Sequence, residues 1–411
     1  MSELLVGPVA VRVFGSFESA YFMSYALRTV NAVIAPNLVA DLGLGAEQLG
    51  ALSSAYFLSF ALMQLPLGVL LDRHGARRTE AALLLVAAAG CALFALASEF
   101  ALLWLGRALI GLGVSACLMA SMKAYRHWFA AERQGQLASW MLVAGTVGVL
   151  STTVPVQRLA QLVGWRGVFG LAAALVLAAA AALYLLLPPT PEERAHRGPS
   201  WRSAMAGYTT VLRERYFWRM AQLGAVVQGG FIALQSLWIG PWFVTVLGYS
   251  PAQTAELLLL FNGVLLLAYL GIGQLSRIIE RSGWSMIAVG ATAACIVVAS
   301  MLGIIGWRSS WSIVFWLAMG AASTVPVLMQ IHLSMCFPVA FTGRAVTTYN
   351  LLVFVGAFAI QWGIGALIDA FTLLGSDTVG AYRGALGVLT GCELVALLVF
   401  LAWRVPRPRP D

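Results

Sequence analysis

The chain has 411 residues, of which 60% are hydrophobic and 10% charged, and its formal net charge is +8. Soluble proteins carry about 45–50% apolar and about 25% charged residues. The apolar excess cannot be buried in soluble cores, so we expect lipid to be the solvent. This excludes a soluble enzyme, a nucleic-acid-binding module and a disordered protein. The five cysteines lie in or beside apolar stretches without a CxxC motif, which is typical of small buried residues rather than of disulfides.

A helix needs about 20 mostly apolar residues to cross the hydrocarbon core. The sequence predicts twelve such spans, at 14–39, 46–71, 79–97, 101–126, 136–157, 165–187, 216–246, 252–276, 285–306, 311–336, 344–370 and 382–403. The stretch that begins at Pro188 is too rich in proline and charge to span. We therefore predict an all-α integral membrane protein with six-helix bundles at 1–187 and 215–411, joined by a cytoplasmic loop at 188–214.

The placement of arginine and lysine predicts the orientation, because both are enriched in cytoplasmic loops. With the N-terminus inside, 18 of the 25 basic residues fall in inner loops and tails, 4 in outer loops or margins, and 3 within the membrane. Both termini are thus predicted to be cytoplasmic. The N-terminal segment lacks the pattern of a cleaved signal peptide, so we expect the first span to be retained.

A weak internal repeat supports the division into two halves. The segments NAVIAPNLVADLGL (31–44) and SLWIGPWFVTVLGY (236–249) align at a constant offset, with a proline and a glycine in register. Bundles repeated about an axis along the membrane normal are one architecture of secondary transporters. We therefore predict pseudo-two-fold symmetry about that axis.

The loop between spans 2 and 3 reads GVLLDRHGARR (68–78). It resembles the loop signature of the major facilitator superfamily of secondary transporters, in which this loop locks the outward-open state. We expect Gly68 to allow close helix approach and Gly75 to permit a tight reversal. Asp72 suits the positive end of an adjacent helix, and Arg73 and Arg77 suit the anionic membrane surface. The alternative is a simple basic anchor.

Span 4 contains LGRALIGLG (105–113), which is similar to the Arg-x-x-x-Gly-x-Gly signature of the same family. The glycines suit close helix packing. For Arg107 the interpretation stays open between a coupling or gating role and a structural one. The resemblance also implies that helices 1, 4, 7 and 10 line the substrate cavity.

The first span holds the most informative residues for a substrate. Arg28 lies about halfway through it, where a cation costs on the order of 2.5–3.5 kcal/mol. Tyr25, Arg28 and Asn31 are spaced by three and share one helical face. The pattern resembles the first helix of the organophosphate–phosphate antiporter branch, in which the arginine binds the anion.

The sequence departs from that branch in its second half. Ala233 stands where a second arginine would complete a phosphate clamp. A single arginine suits a carboxylate or another monoanion, which it binds in bidentate fashion. The alternative is a buried ion pair of Arg28 with Glu18 or Glu393.

Further polar residues lie inside predicted spans and complete the candidate sites. We predict that Gln235, Tyr349 and Asn350 contact substrate. The predicted proton-coupling or gating residues are Arg107, Lys123, His332, Glu18 and Glu393. The pattern Met329-x-x-His332-x-x-Met335 leaves Cu(I) transport open as an alternative, and we predict no cofactor and no bound metal.

The motifs together predict a secondary transporter and not an enzyme, since no nucleotide-binding or hydrolase motif occurs. We expect alternating access that moves a small organic anion, carboxylate-type rather than phosphate ester, in symport with protons. We expect a monomer in the cell inner membrane that binds no nucleic acid. The alternatives are a proton-antiport exporter of hydrophobic or cationic compounds, a copper or other metal importer, and a non-transporting sensor.

Overall fold

The computed structural model describes residues 8–189, 208–307, 309 and 311–406. Helices dominate this part of the chain, and no strand occurs within it. The predicted all-α class is therefore confirmed. We number the membrane spans 1 to 12 in chain order, and a span can contain more than one helix.

The first six spans occupy the helices up to residue 186. Span 1 is Pro8–Thr29 with Asn31–Leu42, and spans 2 and 3 lie within the long helix Ala46–Leu96. Span 4 is Phe100–Val114 with Cys117–Trp128. Span 5 is Gln134–Ser151 with the first part of Val154–Leu186, and span 6 is the rest of that helix.

The last six spans follow the central segment, part of which lies outside the described residues. Span 7 is Arg215–Thr245, span 8 is Pro251–Ser282 and span 9 is Met286–Gly306. Span 10 is Ser312–Ala322 with Pro326–Ser334. Span 11 is Val339–Leu373 and span 12 is Thr378–Ala402. All twelve predicted spans thus coincide with helix.

Two long helices are interrupted at a single glycine. Gly75 (φ 74°) separates spans 2 and 3, and Gly164 (φ 69°) separates spans 5 and 6. A positive φ is open to glycine without steric cost, so each reversal needs no other turn residue. The tight reversal predicted at Gly75 is confirmed. Among the described residues nine helices are long and apolar enough to cross a membrane, two spans sharing the helix that Gly75 interrupts.

Span 7 departs from regular α-helix in two places. The segments Gly224–Gln228 and Leu234–Trp238 are π-helical and flank Gly229 and Gly230. Such π-bulges occur frequently at functional sites. The helix continues past Pro241 to Thr245, as span 1 continues past Pro36, so neither proline ends its helix.

The chain forms two compact units. The first unit consists of the described residues of Met1–Ile34 and Ala55–Ala204, and the second of those of Ala35–Ser54 and Met205–Asp411. The last part of span 1 and the start of span 2 therefore belong to the second unit. The bundle limits drawn from the sequence stay a prediction.

Candidate substrate and coupling sites

The guanidinium of Arg28 stacks on the ring of Tyr25 in span 1. The Arg28 Cζ atom lies 3.9 Å from the Tyr25 ring centroid, and both side chains are half-buried. Tyr21 donates a hydrogen bond of 3.1 Å from its hydroxyl to the Tyr25 hydroxyl. A cation over an aromatic face gains about 0.5–2 kcal/mol. The predicted shared face of Tyr25 and Arg28 is confirmed, and Asn31 lies fully buried just beyond them.

Span 5 holds this part of span 1 in place through two glycines. A Cβ atom at Gly148 would overlap the carbonyl oxygen of Phe22, and one at Gly145 would lie 2.8 Å from Tyr21 Cε1. The hydroxyl oxygens of Thr29, the residue after Arg28, and of Thr152 are 3.0 Å apart and form a hydrogen bond between the two spans. The rotation of span 1, and with it the direction of the Tyr25–Arg28 pair, is thus set by close packing.

Arg107 ties span 4 to span 1 directly behind Arg28. Its guanidinium is 1% exposed and donates a hydrogen bond of 3.0 Å to the carbonyl oxygen of Leu27. Its Cζ atom lies 5.4 Å from the ring centroid of Tyr56. These contacts give Arg107 a structural role between spans 4 and 1, while its gating role stays a prediction.

The loop between spans 2 and 3 is held by an ion pair. Lys123 Nζ lies 2.7 Å from Asp72 Oδ1 and donates to the carbonyl oxygen of Leu71 at 2.9 Å. A lysine of span 4 thus reaches Asp72, and the interaction of Asp72 with the positive end of a helix stays a prediction. Lys123 thus belongs to the same loop contact, and the lock itself stays a prediction.

The other residues of the loop signature divide between buried and open positions. Arg77 donates hydrogen bonds to the carbonyl oxygens of Tyr184 (2.9 Å) and Leu187 (3.1 Å), at the end of span 6. Arg73 is exposed. The close helix approach expected at Gly68 is wrong, since no atom of another helix in the described part of the chain lies within 4 Å of the position that its Cβ would take.

Two buried carboxyl groups of the first unit belong to Glu18 in span 1 and Glu80 in span 3. Glu18 accepts a hydrogen bond of 2.8 Å from the Tyr125 hydroxyl, and its Oε2 atom has no hydrogen-bond partner among the described residues. Glu80 is 0% exposed and has the Cys117 thiol beside it. The Glu18 contact differs from the ion pair with Arg28 that the sequence left open.

The second unit holds the remaining coupling candidates. The Tyr216 hydroxyl lies 2.9 Å from His332 Nε2, and Cys336 Sγ lies 3.9 Å from the same nitrogen. Glu393 is 1% exposed, and a Cβ at Gly230 would lie 3.3 Å from its Oε1 atom. The structure does not bring His332 and Glu393 into a described contact, and their coupling roles stay predictions.

The substrate contacts predicted in the second unit are engaged in hydrogen bonds between its own spans. Gln235 Nε2 donates to Asn262 Oδ1 (2.9 Å), Gln330 Nε2 donates to Asn350 Oδ1 (2.8 Å), and the Tyr349 hydroxyl donates to Gln228 Oε1 (3.2 Å). These bonds satisfy polar groups that would be costly to leave unpaired in lipid. Substrate contact by these residues stays a prediction.

Met329 and Met335, on either side of His332 in the sequence, have different environments. Met329 packs on span 9, since a Cβ at Gly290 would lie 2.6 Å from Met329 Cε, whereas Met335 is 58% exposed. Within the described part of the chain, no three His, Cys, Asp or Glu side chains are grouped to hold a metal ion. Gap filling, a common use of methionine, accounts for Met329.

Two buried or hydrogen-bonded acids, Glu80 and Asp369, are not marked by any motif in the sequence. Glu80 is fully buried at the start of span 3. Asp369, near the end of span 11, accepts hydrogen bonds from the backbone amides of Ala46 (3.2 Å) and Glu47 (2.8 Å) at the start of span 2. Both acids lie at the ends of predicted spans, where a polar residue is not unusual, so the sequence contains no strong signal for either.

Comparison with known proteins places the chain in a family. The family model of the Major Facilitator Superfamily matches residues 19–361. The glucose transporter GlcP of Staphylococcus epidermidis is 23% identical over 359 residues, 78% of this chain and 79% of that protein. The galacturonate transporter of Dickeya chrysanthemi is 25% identical over 213 residues (48% and 62%), and the probable L-galactonate transporter of Escherichia coli 28% over 150 residues (36% and 33%).

Solved structures share the fold along the whole chain. A bacterial homologue of the human lysosomal transporter Spinster, in an inward-facing and occupied conformation, superposes with a TM-score of 0.79 at 16% identity, over 96% of this chain and 97% of that one. A D-xylose–proton symporter superposes with a TM-score of 0.69 at 17% identity, over 97% of each chain. The fold and these matches define a multi-pass membrane transporter rather than an enzyme. The chain belongs to the major facilitator superfamily, as the loop and span 4 signatures predicted.

Proposed function

We propose that the protein moves a small organic anion with a carboxylate group across the membrane by alternating access, in symport with protons. In this proposal it is a monomer of the bacterial inner membrane with both termini in the cytoplasm, where the basic loops lie. Two of its relatives are named for galacturonate and galactonate, which are hydroxylated carboxylates. Other relatives are named for neutral sugars, so the carboxylate is the part of the proposal that needs its own support.

The half-buried guanidinium of Arg28 carries the proposal. The Arg28 Cζ atom lies 3.9 Å from the Tyr25 ring centroid, and a guanidinium carries five N–H donors in a planar fork. Such a fork suits a planar, bidentate acceptor such as a carboxylate. Because Gly145 and Gly148 fix the rotation of span 1, the donor set is pre-organised for the anion.

A phosphate ester fits this arrangement less well. The repeat equivalent of Arg28 is Ala233, which is fully buried among apolar neighbours of span 7. No second guanidinium therefore answers the first at the equivalent position. A single arginine balances the one charge of a carboxylate, whereas a phosphate monoester carries up to two.

The alternative of a proton-antiport exporter of cationic compounds needs an acidic binding surface. The half-buried charged side chain in the predicted binding helix is instead an arginine, while Glu18 is buried and bonded to Tyr125. A cation would be repelled at Arg28. The importer of an anion is therefore the function that we favour.

A ligand screen on the purified full chain tests this function. A ligand that binds the folded state stabilises it by RT ln(1 + [L]/Kd), about 2.7 kcal/mol at one hundred times Kd. We expect D-galacturonate or L-galactonate to raise the melting temperature, with D-glucose as the matched neutral control and glycerol phosphate as the phosphate control. Equal stabilisation by glucose, or stabilisation by the phosphate ester alone, would contradict the proposal.

A further inference from the structure

An open cleft lies where the start of span 7 and the end of span 12 meet in the second unit. It encloses about 440 Å³, within the range of about 300–1,000 Å³ that is common for small-molecule sites. The residues that line it are Arg213, Glu214, Arg215, Trp403, Arg404, Val405 and Pro406. Three arginines and one glutamate give this basic cleft a formal charge of +2. Such a charge favours an anionic ligand.

Side-chain hydrogen bonds hold the two walls of the basic cleft together. Arg219 is 5% exposed and donates from Nε to the carbonyl oxygen of Phe400 at 2.9 Å. Gln222 donates from Nε2 to the carbonyl oxygen of Ala396 at 3.1 Å. Because these bonds join span 7 to span 12, the fold sets the width of the cleft.

The segment before span 7 is also held in place. Val211 is 0% exposed, and the Trp218 indole donates a hydrogen bond of 2.7 Å to the carbonyl oxygen of Leu212. This bond closes the turn that carries Arg213 and Arg215 into the cleft. The positions of these two arginines are therefore set before any ligand binds.

The arginines of the basic cleft differ from the buried arginines of the chain. Arg107 and Arg219 are buried and donate to backbone carbonyl oxygens. Arg213, Arg215 and Arg404 are exposed, and among the described residues no side chain or carbonyl accepts a hydrogen bond from their guanidiniums. Guanidiniums bind phosphate in bidentate fashion. This donor set therefore fits a phosphate group.

Tryptophan places the basic cleft at the level of lipid headgroups. Trp403 lines the cleft and is 38% exposed, and tryptophan is enriched where the membrane meets water. In the last turns of span 12 before the cleft, Leu398, Val399 and Leu401 are 42–56% exposed. An apolar surface next to a phosphate site suits the acyl chains of a lipid, whereas a soluble phosphate would make no contact with it.

We propose that the basic cleft binds the headgroup of an anionic phospholipid. The phosphate accepts hydrogen bonds from Arg213, Arg215 and Arg404, and the carboxylate of Glu214 accepts one from a headgroup hydroxyl. Phosphatidylglycerol carries both a charged phosphate and hydroxyl groups. The bound lipid joins the ends of spans 7 and 12, whatever substrate the protein moves. Anionic lipids of the cytoplasmic leaflet attract basic segments in general, and here the fold supplies a shaped site.

Native mass spectrometry of the delipidated full chain measures its affinity for phosphatidylglycerol. The test variant has three substitutions, Arg213→Gln, Arg215→Gln and Arg404→Gln. Each basic residue near an anionic lipid surface contributes about a fivefold gain in affinity, so we expect this variant to bind roughly 100-fold more weakly. Arg404→Gln alone should bind about fivefold more weakly, and it decides the outcome if the triple variant does not fold.

The matched control removes the same charge from three exposed arginines elsewhere on the predicted cytoplasmic side, Arg126→Gln, Arg133→Gln and Arg281→Gln. It should bind phosphatidylglycerol as the parent protein does. Equal losses in the two triple variants would overturn the proposal, because the lipid would then respond to surface charge in general. Parent-like binding by the cleft variants, or equal affinity of the parent for the zwitterionic phosphatidylethanolamine, would overturn it as well.

Hydrogen exchange in nanodiscs locates the lipid and separates it from a soluble anion. In the parent protein we expect phosphatidylglycerol, compared with phosphatidylethanolamine, to slow amide exchange in residues 208–215 and 403–405. The cleft variant should not show this protection, and neither should the parent with inorganic phosphate in place of the anionic lipid. Equal protection by inorganic phosphate would identify a site for a soluble anion and contradict the lipid site, as would protection confined to other parts of the chain.

Discussion

Lys123 Nζ lies 2.7 Å from Asp72 Oδ1, with the two side chains 27% and 51% exposed. The pair joins the loop after span 2 to the end of span 4, across 51 positions of sequence. Because it is partly exposed, we expect it to contribute at most about 1 kcal/mol to folding. We expect the ion pair to matter mainly for the conformation that the loop favours.

Asp72→Asn should therefore shift the conformational population without unfolding the protein. We expect it to lower the population that is open to the outside, since the family resemblance implies that this loop locks that state. Ser54, buried in span 2, becomes a reporter after replacement by cysteine, with the exposed Cys295 and Cys392 removed. Slower thiol labelling is expected for Asp72→Asn and Lys123→Gln.

The matched control for this pair is Arg126→Gln, which removes an exposed charge at the same end of span 4. Its labelling rate should equal that of the parent protein. If Asp72→Asn also labels at the parent rate while its melting temperature is unchanged, the ion pair is not a conformational lock.

Asp369→Ala should destabilise the contact between spans 2 and 11. The carboxylate accepts from the amides of Ala46 and Glu47 at a helix start, and loss of such a cap costs about 0.5–2 kcal/mol. Asp377 caps its own helix through the amide of Gly380, so Asp377→Ala is the control for a cap without the long-range contact. Denaturant unfolding should show a loss in both variants.

Asp369 also joins span 11 to span 2, whereas Asp377 caps only its own helix. Asp369→Ala should speed the labelling of a cysteine at Ser54, because it frees the start of span 2, whereas Asp377→Ala should not. Equal labelling in the two variants would mean that Asp369 acts only as a local cap.

Gly148→Ala tests the packing of span 5 against span 1, which orients Tyr25 and Arg28. Its Cβ would overlap the Phe22 carbonyl oxygen, and such overpacking costs about 1–3 kcal/mol. At Gly170, by contrast, no atom of a neighbouring described residue lies within 4 Å of the Cβ position, so Gly170→Ala should be neutral or stabilising by up to about 1 kcal/mol. Unfolding free energies decide, and equal stabilities of the two variants would show that span 1 is not fixed by span 5.

Sequence periodicity was sufficient for features that lie within one helix. The twelve spans follow from apolar length, Gly75 from its place between two spans, and the Tyr25–Arg28 contact from a spacing of three. The approach expected at Gly68 failed because which neighbour faces a residue depends on helix rotation, which one sequence does not record.

Contacts between residues that lie far apart in the sequence could not be predicted from periodicity. The pairing of Asp72 with Lys123 of span 4 joins residues 51 positions apart. Asp369 meets the amide of Ala46 across 323 positions, and no local pattern marks such a pairing.

The central claim concerns Arg28, and a matched arginine is available to test it. Arg166 also stacks on an aromatic ring, with Cζ 4.1 Å from the Trp165 centroid, but lies at the start of span 6, away from the binding helix. Arg28→Ala removes a charged hydrogen-bond donor worth about 1.5–3 kcal/mol, which is roughly a 10- to 100-fold loss of affinity. Arg28→Lys should weaken binding as well, because it keeps the charge and loses the planar fork.

The most direct measurement is the dissociation constant of D-galacturonate for the parent protein, Arg28→Ala, Arg28→Lys and Arg166→Ala, with the melting temperature recorded on the same samples. We expect both Arg28 variants to lose affinity while they stay folded, and Arg166→Ala to bind as the parent does. A contrary result would be an Arg28→Ala protein that binds galacturonate normally, melts at a lower temperature and is restored by Glu18→Gln, because Arg28 would then be half of a buried ion pair.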